Sequence, residues 1–522
     1  MTSFVKTYTS YNNLRDFHIV VTGSDDNTAK VWRFKEGSAR LIATLTDGSL
    51  GPDQAAEHWS GHTAGITSVA VSNSQAQRDN HDAGRIKKGK RNSEQNTVVK
   101  TVVLTTSRDN LAKVWTSNGE KGDPFVCKTT LPPAQAASDP QEKELKEKMP
   151  FLRKLQKKYT SLAPDARHAV ATTERQPGHF GAVHMGSFRP PGSRRAGVQL
   201  VTCSADSTAI LWDVSIGPVG SAIQRHTLWK HELGHFKSVT HTDWSNTEFS
   251  KKVVTSSNDG QAIIWDIKSG RPQVFMPKSE DRGRGGPIWS SYFSPDDSKI
   301  LSTSKDGFAK VFDAPDGRCI YQAGGGTSVA VGQDVDVPES EKTVSAQWYP
   351  HGDLRDGLFC TCHFNGDVLL HDIRSTPGHP AVRMYKHAAC AWSAQFRPMS
   401  NVTHLLTASH DMTAAVSDMT MPGRPLSLLL GHYGILWQAT YSPTAAFVVT
   451  CSEDSTSRIW DMSMESARPP SLVLAEPGER TTHGLAVTCA AFDPDYDLDA
   501  IEADVQRHGV HAHLPSRPSI RG

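Results

Sequence analysis

Ser, His and Asp are the residue types of a hydrolase nucleophile, its base and the acid that orients it. They recur together in this chain as His62 with Ser107 and Asp109, His179 with Ser204 and Asp206, His235 with Ser257 and Asp259, and His432 with Ser452 and Asp454. Six residues after each Asp stands a tryptophan: Trp115, Trp212, Trp265 and Trp460. A triad needs one exposed nucleophile beside an oxyanion hole. Four copies of one set, each tied to a bulky aromatic, read as a repeated structural unit, and no catalytic residue is expected.

Other groupings carry less. Cys360, Cys362 and His363 suggest a metal cluster, but C-x-C on a strand points both thiols to one face, and no second Cys or His pair stands at ligand spacing. Core cysteines are expected, with no metal. His508, His511 and His513 lie in RHGVHAHLPSRP, which reads as a solvated tail. DRGRGGP at 281–287 lacks the Lys and following helix of a phosphate loop. No cofactor is expected.

Composition narrows the class. Lys and Arg number 56 against 55 Asp and Glu, leaving a net charge of +1, so no overall field draws the chain to nucleic acid or an anionic membrane. The opening MTSFVKTYTSYNNLRDF lacks the apolar core of a secretory signal, and no apolar run approaches the ~18 residues that span a bilayer. Eight thinly spread cysteines, most inside apolar runs, read as free thiols in a reducing compartment. A cytoplasmic location follows, with the nucleus as the alternative.

The units that position these residues emerge when the chain is aligned with itself. An apolar run, a hydroxylic residue, an Asp and then a bulky aromatic recur in IVVTGSDDNTAKVW (19–32), VVLTTSRDNLAKVW (102–115), LVTCSADSTAILW (200–212), VVTSSNDGQAIIW (253–265) and VVTCSEDSTSRIW (448–460). Worn copies are ILSTSKDGFAKVF (300–312), LFCTCHFNGDVLLH (358–371) and LLTASHDMTAAVS (405–417), making eight. Each reads as two short strands joined by a tight Asp turn. Gly-His and another apolar segment precede several copies, at 61, 178, 234 and 431, and a fourth strand follows each aromatic position. A lone four-stranded sheet cannot bury both faces.

With Gly-His at one end of the unit and Trp-Asp at the other, at 212–213, 265–266 and 460–461, the chain resembles the WD-repeat family from residue 15 to about 493. The resemblance implies an all-β fold, a single closed eight-bladed β-propeller in which neighbours cover each blade's faces. It further implies that His, a Ser or Thr, Asp and Trp form a buried hydrogen-bonded relay, complete in the four sets above. Blades five to seven, with Phe312, His371 and Ser417 at the aromatic position and Asn365 at the Asp position, are expected to be less tightly held, or held by other contacts. Residues 485–492 should supply the innermost strand of blade one; the competing arrangement puts residues 3–9 there.

The propeller is thus expected over residues 1–493, with insertions at 73–96, 131–177 and 322–342, and a disordered tail at 494–522. Within 131–177, Leu145, Met149, Leu152, Leu155 and Tyr159 fall at helical spacing, so a helical insertion is expected between blades two and three, either gripping a partner or packed on the rim. RIKKGKR at 85–91 reads as a solvated loop or a nuclear-import signal.

Family members bind ligands where the top of the ring meets the channel. Here that implies Arg108 and Lys305, before their turn Asp residues, and Trp289, Trp392 and Trp437, at the starts of inner strands. The resulting reading is a non-enzymatic scaffold that binds one or more proteins through its top face, as a monomeric propeller inside a hetero-complex. Two alternatives stay open. IIWDIK (263–268) and LLHDIR (369–374) resemble the box of cullin-type ubiquitin-ligase receptors, and the basic segments at 85–91 and 154–158 would suit an RNA-associated factor.

Overall fold

The computed structural model describes residues 18–35, 38–45, 61–76, 98–117, 125–131, 178–179, 181–189, 197–215, 221–227, 234–246, 251–276, 286–324, 327–329, 337–350, 357–376, 381–398, 403–462, 469, 471–476 and 478–493. These form eight antiparallel sheets. Blade four shows the pattern: Val239–Trp244 innermost, then Lys252–Ser257, Ala262–Asp266 and Pro272–Met276 outward. The turn between second and third strands has one cause in every blade. The residue after the Asp position is left-handed, with φ of 72° at Asn27 and Asn110, 74° at Ser207, 82° at Gly260, 96° at Gly307, 85° at Gly366, 69° at Met412 and 66° at Ser455. Asn and Gly tolerate that geometry, and the Asp carboxylate ties the turn by accepting the N–H two residues on, as Asp259 does from Gln261 at 2.8 Å.

The core lies between blades. Val102, Leu104 and Val114 of blade two pack on Leu200, Ile210 and Trp212 of blade three. Equivalent clusters link each later pair round to blades eight and one, where Val449 and Ile459 meet Val20, Trp32 and Phe492. The ring closes through the C-terminal strand: Val487–Phe492 pairs antiparallel with His18–Ser24, Val20 opposite Phe492 and Gly23 opposite Cys489. Blade one is therefore built from one C-terminal and three N-terminal strands.

Several boundaries move. Residues 73–76 belong to the strand Ile66–Ala76, so the first insertion starts later than 73. The segment 322–342 is not one loop: Gln322–Gly324 ends the strand Cys319–Gly324, and Thr327–Val329 adds a fifth strand to that sheet. Val329 and Val337 pack on Phe308, which anchors this segment to the blade. Leu131 ends the strand Val126–Leu131. The helical reading of the rest of 131–177, the basic runs 85–91 and 154–158, the competing strand at 3–9 and the tail 494–522 lie outside the described residues.

Inner strands share one irregularity. In each blade the second residue of the innermost strand is a bulge, skipped between consecutive pairs such as Ile288 with Ser304 and Ser290 with Thr303. The skipped residues are Thr488, Thr67, His184, Thr240, Trp289, Val344, Trp392 and Trp437 in blades one to eight. A bulge frees one residue from the ladder and re-aims its side chain.

Candidate functional site

Two sets of residues repeat around the ring, a buried relay within the blades and the bulge positions at the mouth of the channel. In blade four, His235 Nδ1 lies 2.9 Å from Asp259 and Nε2 lies 2.8 Å from Thr255 Oγ1, which accepts the Trp265 Nε1–H at 2.7 Å. Nδ1 faces a carboxylate and so donates, leaving Nε2 to accept the Thr255 hydroxyl proton. One chain of hydrogen bonds thus runs from indole to carboxylate. Burial alone would raise the Asp259 pKa, but the hydrogen bond from His235 and those from the Gln261 and Phe236 N–H groups outweigh it and hold the carboxyl below its usual range.

The same geometry joins His62, Thr105, Asp109 and Trp115, then His179, Thr202, Asp206 and Trp212, and His432, Thr450, Asp454 and Trp460. The serines expected in the relay sit elsewhere. Ser107, Ser204, Ser257 and Ser452 each accept the N–H of the turn Asp and donate to a carbonyl of the Gly-His link, as Ser257 does to Lys237 at 3.0 Å. The relay hydroxyl is the threonine two residues earlier on the same strand face.

Two relays lack the Gly-His signal. His483 lies 3.2 Å from Asp26 and 2.8 Å from Thr22, which accepts the Trp32 indole, so the C-terminal segment also locks blade one by its side chains. In blade seven His387 lies 3.0 Å from Asp411 and 2.8 Å from Thr407, although Ser417 stands at the aromatic position. Of the two expectations for this arc, blade seven meets the second: it is held by the same His, Thr and Asp contacts as blade four, without the indole. Blade five has Ser304 bonded to Asp306 and a buried Phe312, with no histidine joining that pair among the described residues.

Blade six uses two histidines. Thr361 Oγ1 lies 2.8 Å from His363 Nε2 and 2.9 Å from His371 Nε2, and His363 Nδ1 donates to the Glu341 carbonyl at 2.7 Å. Neutral His363 therefore accepts from Thr361, which accepts the His371 Nε2–H, leaving His371 Nδ1 buried with no partner among the described residues. Burial lowers both histidine pKa values, His371 to about 3. Because folded His371 titrates below the unfolded value of about 6.5, only the unfolded chain takes up the proton in between. Stability from this group falls as pH drops from about 6.5 towards 3. His371→Trp, which restores the aromatic of blade four, should flatten the pH dependence of Tm in that window by up to one proton's share, about 1.4 kcal/mol per pH unit. Thermal scans in which the variant matched the parent slope would refute this.

Cys360 and Cys362 are buried and burial pushes both thiols up, Cys362 to about 12, while His363 serves the blade-six bonds. Asp266 caps the N–H groups of Lys268 and Ser269 at 2.9 and 2.7 Å, and Arg374 turns back to Asp372 at 2.7 Å, so both ligase-like boxes serve their own turns.

At the channel mouth the bulge residues divide. Thr67, Thr240 and Thr488 donate to the next blade, to Val183, Ile288 and Ile66 carbonyls at 2.5, 2.7 and 3.0 Å. Trp289, Trp392 and Trp437 replace that stitch with half-exposed aromatics. Trp392 and Trp437 meet edge to face at 5.5 Å, His410 stacks on Trp392 at 4.9 Å, and Trp437 Nε1 is a buried donor with no partner among the described residues. Trp289, Trp392 and Phe364 line a pocket with His184, Met185 and Val344. Of the two expected basic residues, Arg108 pairs with Asp25 at 3.2 Å, and exposed Lys305 bonds through its N–H to Pro287, beside Trp289. The sequence offers a signal for Trp289, Trp392 and Trp437, and for Phe364 and His410 through their place before the turn Asp or Asn, but none for His184, which only the ring brings to them.

Comparison with known proteins places these features. A family model described as "WD domain, G-beta repeat" matches residues 3–33, 277–313 and 423–461. The nuclear distribution protein PAC1 of Arthroderma otae is 25% identical over 315 residues, 59% of this chain and 55% of the relative. The Denticleless protein homolog of Mus musculus is 22% identical over 51% of this chain and 38% of its own length. The chain thus spans about half, or less, of these two relatives. The protein transport protein sec13 of Aspergillus clavatus is 24% identical over 52% of this chain and 93% of its own length. Among solved structures, the computationally designed Ika8 protein superposes with a TM-score of 0.50 at 18% identity, covering 87% of this chain and 96% of that one, a likeness of fold. With eight antiparallel blades, seven of four strands and one of five, a ring closed by its last strand and the repeated Trp-Asp units, the chain is a WD-repeat β-propeller.

Proposed function

We propose that this protein is a non-enzymatic scaffold that binds one or more protein partners through the top face of the propeller, as a monomeric ring within a larger assembly in the cytoplasm or nucleus. One observation carries the reading. At Trp289, Trp392 and Trp437 the ring gives up the stitch that Thr67, Thr240 and Thr488 make and presents large, half-exposed aromatics to the channel mouth. Aromatic anchors in a partly desolvated pocket are the usual energetic centre of an interface. Exposed Phe364, Met412, Tyr433 and Leu485, on the turns and links of the same rim, extend the apolar surface over blades six, seven, eight and one. The names of the similar proteins, concerned with nuclear distribution and protein transport, support a fold lent to different assemblies.

Affinity purification with mass spectrometry, comparing the intact chain with Trp392→Ala/Trp437→Ala, tests the reading. Partners should be lost from the double variant while its thermal unfolding stays cooperative. Recovery of the same partners in equal amounts would move binding off this face.

A further inference from the structure

The wall of the mouth pocket mixes large apolar side chains with small hydroxyls and the imidazoles of His184 and His241. Trp289, Trp392, Phe364, Met185 and Val344 supply the apolar surface, and Phe364 is left 42% exposed. The hydroxyls in the lining are already used: Thr240 on the Ile288 carbonyl at 2.7 Å, Ser345 on the Trp392 carbonyl at 3.0 Å, and Ser290 with Thr303 at 2.9 Å. His184 pairs with Ser238 at 2.9 Å, and burial holds it neutral, its pKa lowered to about 4. A charged side chain entering here would lose its hydration, and the lining holds no Lys, Arg, Asp or Glu to offset that, only the buried imidazole of His241 beside His184.

The rim has the opposite character. Lys237 and Lys305 are exposed and make no ion pair among the described residues. Both flank the pocket through the backbone, Lys237 next to Ser238, which bonds His184, and Lys305 bonded to Pro287, two residues before Trp289. The other lysines of this arc are held, Lys310 by Asp306 at 3.5 Å and Lys342 by Glu339. Across the ring the balance differs: Arg108 is neutralised by Asp25, and Glu453 stands at the blade-eight turn.

We propose that this pocket takes an uncharged apolar or aromatic side chain of a peptide segment whose flanking residues are acidic, the anchor between Trp289 and Trp392 and the carboxylates against Lys237 and Lys305. The proposal rests on the top-face reading above and names the chemistry of the partner. Burial of the anchor supplies affinity, while the lysines steer and orient it, a contribution that salt screens.

Panning a random-peptide display library on the full chain tests this. Enriched peptides should carry Phe, Trp, Leu or Met between aspartates and glutamates. A representative peptide should bind Trp392→Ala about tenfold more weakly. It should also weaken on Lys237→Glu/Lys305→Glu, and recover on that variant when its acids are changed to lysines. Basic enriched peptides, peptides without an apolar anchor, or binding indifferent to the lysine variant would overturn the proposed chemistry and leave the top-face reading standing. No enrichment, or binding that survives Trp392→Ala/Trp437→Ala, would overturn both.

Discussion

A chain ending at Glu479 should fail to give a cooperative unfolding transition and should elute as aggregate, whereas one ending at Asp493 should melt as a single unit. The shorter chain loses Val487–Phe492, the innermost strand of blade one, whose loss leaves Val20–Ser24 as an unpaired edge facing the channel. It also loses His483, so the Thr22 hydroxyl and the Asp26 carboxylate lose their partner. Phe492 alone is fully buried and worth roughly 3 to 5 kcal/mol, and Val487 adds about 1.5 to 3. Together they approach the roughly 5 to 15 kcal/mol by which folded chains are stable. Size-exclusion chromatography and calorimetry of the two chains decide it, and equal melting of both would mean the ring does not depend on this strand.

Trp265→Ala should destabilise by about 3 to 5 kcal/mol in urea. Its side chain is fully buried between blades three and four, beside Val239, Val253 and Ile263, and its removal also deprives Thr255 of a donor. Thr255→Val is the sharper probe of the relay. It leaves His235 Nε2 and Trp265 Nε1 buried and unsatisfied, at roughly 1 to 3 kcal/mol each. Ser257→Ala should cost less, because it frees one N–H and one part-buried carbonyl at the turn and leaves the hydrogen-bonded chain from indole to carboxylate intact. The reverse order of the last two would return the serine to the relay.

The eight units are legible because one backbone requirement, a left-handed residue after the turn Asp, repeats with a fixed aromatic spacing. The choice of hydroxyl is not. Thr255 and Ser257 are two residues apart on one strand face, and only the pairing of that strand with Ala262–Asp266 shows which of them reaches Trp265. His387 escapes a search for Gly-His because Lys386 precedes it, although its distance to Thr407 in sequence equals that from His235 to Thr255. His371 reads as a worn tryptophan, since nothing local announces that a neighbouring histidine will share Thr361. The three mouth tryptophans can be picked from their recurrence. That they are bulges, and so leave the ladder to face the channel, depends on strand register and was not readable.

The pairing that closes blade one also sets how the protein answers to force. Asp493 donates to the Ile19 carbonyl at 2.9 Å, so the strand leaving the ring and the strand entering it come together at the same end of one ladder. A load applied between His18 and Asp493 would therefore peel that ladder one rung at a time, instead of shearing all its bonds at once. A tether joining the two ends would share the load with the peptide backbone, and the propeller would then resist pulling like a belt with its buckle fastened.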